Sequence, residues 1–161
     1  FSGKDGRTTI FDYWSVDTIR RWRNKGKFDG KLITEKEKDL RNYYTKILNL
    51  CHTENALKEG DFYDLMYVNP WSESFHADKC YAFVRHYKGE LILIIANFEQ
   101  EAQHISLQLP KHLFEHFNFK EYKRIKATDL LTGLTESLSM HSELPLKTSI
   151  PAYGAKILRF K

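Results

Sequence analysis

The side chains that could carry out acid–base chemistry are scattered along the chain. Two pairs of carboxylates lie close in sequence, Asp61 with Asp64 and Glu99 with Glu101. Catalytic acids need a cleft that shifts their pKa, whereas most neighbouring carboxylates form a solvated surface. We therefore interpret both pairs as surface charge.

Histidine spacing raises the question of a metal site. His112 and His116 are four residues apart and would share one face if Lys111–Asn118 were helical. A zinc site needs three or four ligands, and no third ligand or general base stands at motif spacing. The sequence therefore predicts no metal here.

The two cysteines are the remaining nucleophiles and soft ligands. Cys51 precedes His52, and Cys80 follows His76, but neither spacing is that of a zinc finger. Core thiols and surface imidazoles are the commoner outcome. Two cysteines do not make a disulfide framework, and whether they pair stays open. No nucleophile-elbow motif or phosphate-binding glycine loop is present, so we predict no cofactor.

Exposed aromatic rings could bind sugar instead. Trp71 stands with Phe75 in the polar segment Asn69–Lys79, which makes it the best candidate for a ring that stacks on a sugar. The alternative, which we favour, is that Trp71 folds over the edge of the core and anchors the loop. Amphipathic aromatic rings serve both purposes.

Composition narrows the function classes. The chain has 161 residues, is 42% hydrophobic and 14% aromatic, and carries a net charge of +4. Its densest basic segments, Arg20–Lys31 and Lys120–Lys126, contain acidic residues and no nucleic-acid-reading motif. The longest apolar run, Leu91–Ala96, is far short of the ~20 residues of a membrane span. We expect no nucleic-acid or membrane partner, and because the chain starts at Phe1 we expect the natural N-terminus to lie upstream.

The first third of the chain has helical patterns. Val16–Arg23 fits a short helix with Ser15 as its N-cap. Thr34 and Glu37 match the capping box that starts a helix, and this helix should fray near His52–Asn55. Its apolar residues recur at spacings of three and four and form one stripe: Leu40, Tyr43, Tyr44, Ile47, Leu48 and Cys51.

From Gly60 onward the apolar period changes to two, which predicts strands. The organising segment is Cys80–Phe98, with a strand over 81–87, a turn at Lys88-Gly89, and a second strand over 91–98 that is apolar on both faces and therefore central. The other predicted strands are Asp61–Val68, His104–Leu109, Glu121–Ala127 continued by Leu130–Leu131, Glu136–Met140, Thr148–Ile150 and Ala155–Phe160. About eight short strands joined by turns predict a mainly β fold, an antiparallel Greek-key-like β-sandwich preceded by an α-helical segment.

The order of several segments resembles the C-terminal end of α-amylase-family enzymes, glycoside hydrolase family 13. The matching segments are Gly6–Ser15, Leu40–Leu50, Glu54–Phe62, Tyr81–Phe98, Asp129–Gly133 and Ile150–Leu158. The family often has Pro where Asn55 stands and Arg where Cys51 stands. The resemblance implies that residues 1–59 are a remnant of the last loop and helices of a (β/α)8 barrel, and that residues 60–161 are the C-terminal antiparallel β-sandwich, domain C.

The resemblance also implies a function. Retaining glycosidases of this family use two carboxyl groups about 5 Å apart on the barrel, and those positions would lie before Phe1. We therefore predict no catalytic residue in this chain. We expect an accessory region, its strands burying the helix over 34–55, that stabilises the barrel of a retaining hydrolase of starch or maltodextrin. The alternative is a starch-binding module that uses exposed aromatics.

Two further aromatic residues become candidates through the resemblance. Tyr13 and Trp14 would lie in the eighth βα loop of the barrel, where loops line active sites. They would either shape a glucan subsite or anchor the loop, and the apolar cluster Ile10–Trp14 favours the anchor.

The predicted partners follow from these alternatives. The first is the catalytic barrel of the same chain, and an α-glucan is the partner under the binding alternative. A second copy of this chain is a third, because the apolar helix stripe would lack the barrel strands it packs on. The substrate linkage, hydrolysis versus transfer, oligomeric state and compartment stay open, with a secreted or periplasmic parent as one option.

Overall fold

A computed structural model describes residues 16–160 of the chain. The chain divides between Ile47 and Leu48 into two compact units. Ser15, the predicted N-cap of the first helix, lies outside the described residues.

The first unit contains helix α1 and the start of helix α2. Helix α1 spans Asp17–Arg23 and α2 spans Glu35–Thr53; Val16 takes the N-cap position of α1, so the prediction of Ser15 is wrong. The capping box that begins α2 is confirmed. The backbone N–H of Thr34 donates to the Glu37 carboxylate at 2.8 Å, and the N–H of Glu37 donates to Thr34 Oγ1 at 3.3 Å.

Helix α2 leaves its apolar stripe exposed. None of its residues is buried, and Leu48 and Tyr44 are 65% and 59% exposed. That the strands bury this helix stays a prediction, because most of α2 belongs to the first compact unit. Helix α2 ends at Thr53, within the segment 52–55 where its end was predicted.

The second unit is an antiparallel β-sandwich, as predicted. One sheet has six strands in the order β1-β2-β3-β8-β5-β6, and the other pairs β4 with β7. Strands β3 and β8 pair in one sheet while β4 and β7 pair in the other, which is the nested arrangement of a Greek key. The strands are β1 Asp61–Asp64, β2 Cys80–Tyr87, β3 Glu90–Asn97, β4 Gln103–Leu107, β5 Tyr122–Asp129, β6 Thr135–Met140, β7 Leu146–Ile150 and β8 Ala155–Phe160.

Strand β3 is the centre of the large sheet, as the apolar run predicted. Leu91, Leu93 and Ile95 point between the two sheets and are buried in the main core. Ile92, on the opposite face, is also fully buried, because a second cluster covers it. The turn into β3 has positive φ at both Lys88 and Gly89, the type I′ hairpin geometry.

The short helix α3, Asn55–Glu59, is part of that second cluster through Ala56. Charged side chains bind its N-terminal half. Glu90 accepts the N–H of Ala56 at 2.9 Å, and Arg85 Nε donates to the Ala56 carbonyl at 3.2 Å. Arg159 forms an ion pair of 2.8 Å with Glu54 just before α3. A five-residue helix is not stable alone, so these contacts and the packing of Ala56 hold it on the sheet.

Two predicted strands are wrong in extent. The segment 61–68 is a strand only to Asp64, whose carboxylate accepts the N–H of Met66 at 3.0 Å and turns the chain into a 3-10 helix. Strand β5 ends at Asp129, whose carboxylate accepts the N–H of Leu131 at 3.1 Å and the hydroxyl of Thr132 at 2.7 Å. Leu130 and Leu131 therefore lie in a turn.

The ambiguous segment 111–118 contains helix α4, Lys111–Phe117, which buries Leu113 and Phe114 in the core. The two cysteines do not pair: Cys51 is exposed and Cys80 is buried, and both thiols are free. Across residues 16–160, no helix has both the length and the apolar character needed to cross a membrane.

Candidate functional site

Trp71 lies in the loop between β1 and β2, and 60% of its surface is exposed. Its ring stacks on His76, with centroids 5.7 Å apart and planes 12° apart. One face is thus occupied by an imidazole and the rest of the ring meets solvent. Whether Trp71 binds sugar stays a prediction.

Other side chains anchor this loop. Phe75 is buried. The buried amide of Asn69 donates to the carbonyls of Leu65 at 2.8 Å and Gln108 at 3.0 Å, and it accepts the N–H of Gln108 at 2.7 Å. These contacts fix the loop without the exposed surface of the Trp71 ring, which stays accessible to a ligand.

The carboxylate of Glu99 forms several hydrogen bonds at this end of the sandwich. Lys79 Nζ donates to it at 2.7 Å, His76 Nδ1 lies 3.1 Å away, and Gln103 also hydrogen-bonds to it. The hydrogen bond from Lys79, helped by that from His76, holds the pKa of Glu99 below its usual range despite partial burial. Glu99 is therefore an anion held by the Lys79 ammonium group, which suits hydrogen-bond acceptance and not proton donation.

Asn97 connects two loops beneath this anion. Its buried amide donates to the carbonyls of Glu101 at 2.8 Å and Pro151 at 3.0 Å, and accepts the N–H of Glu99 at 2.9 Å. Its backbone N–H donates to the Gly154 carbonyl at 2.8 Å. One residue at the end of β3 thus fixes the loops over 98–101 and 151–154.

A cavity of about 430 Å³ opens between these loops. We call it the loop-end pocket; its lining residues are Lys79, Phe98, Glu99, Gln100, Glu101 and Tyr153. Phe98 and Tyr153 are 66% and 73% exposed. Sequence reasoning singled out neither of them. The available signal was a polar loop after β3 that begins with Phe98, and a Tyr in the turn before β8.

The two histidines of α4 are arranged for contacts within the protein. Their rings stack 5.7 Å apart at 22°, and His112 Nδ1 lies 3.0 Å from the Tyr63 hydroxyl, which also hydrogen-bonds to Tyr67 at 2.7 Å. Among residues 16–160, no three potential ligand side chains come close enough together to hold a metal ion.

Tyr13 and Trp14, the other predicted sugar-contacting residues, lie outside the described residues. The structure therefore does not relate them to Trp71, and their role stays a prediction.

The outer face of the large sheet, opposite the main core, carries a row of aromatic rings. Phe62 and Phe83 have ring centroids 5.4 Å apart, and Phe83 and Tyr81 have centroids 5.7 Å apart. Phe62 is 50% and Tyr81 is 41% exposed. We call these three residues the aromatic row. The strand alternation places Ile94 beside it, since Ile94 is the register partner of Phe83.

The profile of the family "Maltogenic Amylase, C-terminal domain" matches residues 74–157, more than half of the chain. The chain belongs to this family, the C-terminal β-sandwich of glycoside hydrolase family 13 enzymes. The resemblance seen in the sequence is thereby confirmed.

Solved structures share the fold. A noncanonic maltogenic α-amylase, AmyB from Thermotoga neapolitana, is 14% identical over 80% of this chain, with a TM-score of 0.58. The Geobacillus thermoleovorans α-amylase complexed with acarbose is 17% identical over 82%, with a TM-score of 0.55. An Anoxybacillus α-amylase is 20% identical over 84%, with a TM-score of 0.53.

These matches cover only part of the larger proteins: 27%, 25% and 25% of their respective chains. The chain therefore spans about a quarter of the length of the amylases it resembles in fold. No curated protein sequence matches it.

Proposed function

We propose that this chain is the C-terminal accessory region of an α-glucan hydrolase and that it stabilises the catalytic barrel by docking against it. The aromatic row carries the proposal. Phe62, Phe83 and Tyr81 are neighbours on one sheet face, and side chains of this size are normally buried. A contiguous exposed apolar patch on a folded domain is typical of an interface with another protein surface.

The barrel is the occupant that best fits the row. The family is defined as a C-terminal domain, and the amylases of the same fold are about three times as long as this chain. Beside the row, the same outer face of the large sheet already binds α3 through Arg85 and Glu90. We infer that residues 1–59 belong to the end of the barrel and that residues 60–161 are the docked sandwich.

The complete reading frame tests this proposal. We expect the rest of a (β/α)8 barrel upstream of Phe1, with the carboxylates of a retaining glycosidase at the ends of its strands. A reading frame with no such barrel would contradict the accessory role and the α-glucan substrate together.

A second candidate function is glucan binding through Trp71. The observation that favours it is that Trp71 remains 60% exposed while Phe75 and Asn69 hold its loop. A ring that is this exposed is suited to stacking on a sugar face. In affinity electrophoresis with soluble starch we expect retarded migration of the chain and weaker retardation of Trp71→Ala. Unretarded migration of the folded chain would exclude the binding function and leave the accessory role intact.

The exposed stripe of α2 supports a third proposal about partners. Without a barrel, Leu48 and Leu40 expose 65% and 58% of their surface. We infer that this stripe packs on barrel strands in the parent enzyme and mediates self-association of the isolated chain. Sedimentation equilibrium should detect a dimer that Leu48→Lys dissociates, whereas a monomer at every concentration would contradict self-association.

A further inference from the structure

The loop-end pocket differs from the aromatic row in shape and chemistry. The row lies on a sheet face and is apolar. The pocket is a concave cavity of about 430 Å³ that combines two exposed rings with three charged side chains. Ligand sites for small molecules are concave and combine apolar contact area with a few placed polar groups. The pocket therefore fits a small ligand better than a docked domain.

Its polar groups favour a sugar over other small ligands. Glu99 and Glu101 supply hydrogen-bond acceptors, and Lys79 and Gln100 supply donors. A pyranose offers hydroxyl groups around its edge that both donate and accept, and C–H groups on its faces that pack on aromatic rings. A phosphate would meet two carboxylates, and an acyl chain would meet charges, so neither suits this lining.

The pocket is held in shape before any ligand arrives. Asn97 fixes both loops, and the N–H of Tyr153 donates to the Glu99 carbonyl at 2.8 Å. Tyr153 has a φ of 45°, a left-handed conformation that is uncommon for an aromatic residue. Strained residues of this kind persist where the surrounding structure enforces them and cluster at ligand sites.

Trp71 is linked to the pocket through the same anion. Its ring stacks on His76, and His76 hydrogen-bonds to the Glu99 carboxylate that lines the pocket. The exposed rings at this end of the sandwich therefore share one polar network. A chain of several sugar units is long enough to contact more than one of them.

We propose that the loop-end pocket binds an α-glucan chain, with Phe98 and Tyr153 stacking on glucose rings and Glu99, Glu101 and Lys79 binding their hydroxyl groups. This inference rests on the second candidate function and moves its centre from Trp71 to a pocket that sequence reasoning missed. The accessory role of the chain does not depend on it.

Substitution of Tyr153 gives a clean test because its backbone prefers glycine. Tyr153→Gly removes the ring and relieves the left-handed strain, so the variant should unfold at the same or a higher temperature. Its affinity for maltoheptaose, measured by calorimetric titration of the 161-residue chain, should fall by about tenfold. Tyr153→Phe keeps the ring and should bind like the parent chain. Phe98→Ala should weaken binding to a similar extent as Tyr153→Gly.

The controls separate the possible outcomes. Tyr44→Ala removes another exposed ring, on α2, and should leave affinity unchanged. Loss of binding in Trp71→Ala alone would overturn the pocket and support a site confined to Trp71. Equal binding of a β-linked glucan would overturn the α-glucan assignment. If Phe98→Ala lowers the unfolding temperature of the full-length enzyme without changing affinity, the pocket docks protein and the proposal is wrong.

Discussion

The side-chain amide of Asn97 donates a hydrogen bond of 3.0 Å to the carbonyl oxygen of Pro151, which lies 54 residues further along the chain. The same nitrogen donates to Glu101 at 2.8 Å. The last residue of β3 thereby fixes the loop that follows it and the turn that precedes its partner strand β8. These two loops frame the loop-end pocket, so the geometry of the pocket depends on the end of the central strand.

Replacing Asn97 with Ala should destabilise the chain strongly. The buried amide makes three hydrogen bonds to backbone groups, and removing it leaves partly buried polar groups unpaired, at a cost of about 3 kcal/mol in the free energy of unfolding. Urea denaturation of the variant measures this loss. Gln108→Ala, in an exposed side chain, is the control and should stay near the parent value. A loss below about 1 kcal/mol for Asn97→Ala would contradict the account of the two loops.

Gly60 and Gly89 should respond differently to alanine. A Cβ at Gly60 would lie 2.3 Å from the Ala56 carbonyl oxygen and 2.7 Å from that of His86, so backbone must move. We expect Gly60→Ala to lower the free energy of unfolding by about 3 kcal/mol, near the upper range for overpacking. A Cβ at Gly89 would have no atom within 4 Å, so Gly89→Ala should lower the free energy of unfolding only through its φ of 85°. That cost is about 1 kcal/mol.

Thermal and urea unfolding of these two variants check the prediction. An equal loss for both would mean that the contact between α3 and the end of β2 is loose. That result would contradict the close approach of Gly60 to the sheet.

The first unit should lose structure in acid. Arg21 Nε lies 3.0 Å from the Glu37 carboxylate, and Thr34 donates its N–H to the same group. The hydrogen bond from Arg21 comes first among the contacts that lower the pKa of Glu37 from its ordinary value of 4.5 to about 2. A lowered pKa means that the stabilisation is complete above pH 4.5 and is lost as pH falls toward 2.

Carbon-detected NMR titration of Glu37 should show the low pKa directly. Glu37→Gln removes the charge. The helical signal of this variant should therefore decrease less between pH 4.5 and 2 than the helical signal of the parent chain. A carboxyl of Glu37 that titrates near 4.5 would contradict the ion pair with Arg21.

The sequence was sufficient for features that depend on local pattern. The apolar run of β3 predicted a strand covered on both faces, and Ile92 is buried on the second face as expected. The capping box at Thr34 was also readable, because both partners lie within one turn. The end of β1 was not readable: Asp64 competes for the backbone of Met66, and this polar contact overrides the strand pattern.

The pocket was out of reach of sequence reasoning for a different reason. Asn97 bonds to carbonyls at 101 and 151, and which distant carbonyls meet one amide is decided by tertiary packing. Phe98 and Tyr153 are exposed although their residue types favour burial. Trp71, in contrast, was singled out because it stands in a mostly polar loop, and its role stays a prediction.

Hydrogen exchange should rank the two units by stability. Helix α2 buries none of its residues, while β3 lies at the centre of the core. Amides of α2 should therefore exchange through openings of lower free energy than those of β3, because protection follows buried contacts. Mass spectrometry of the exchanged chain gives both rates. A monomeric chain in which the helix over 35–53 is the most protected segment would contradict the proposal that its stripe needs a partner.

The central claim is that the aromatic row docks on a catalytic barrel. Calorimetry of the full-length protein with Phe62→Lys and Tyr81→Lys tests it most directly, with Leu134→Lys, at an exposed turn, as the control. We predict that the double variant lowers the unfolding temperature of the barrel by more than that of the isolated 161-residue chain, because about half of each side chain is already exposed there. A barrel transition equal to that of the parent enzyme would contradict the claim.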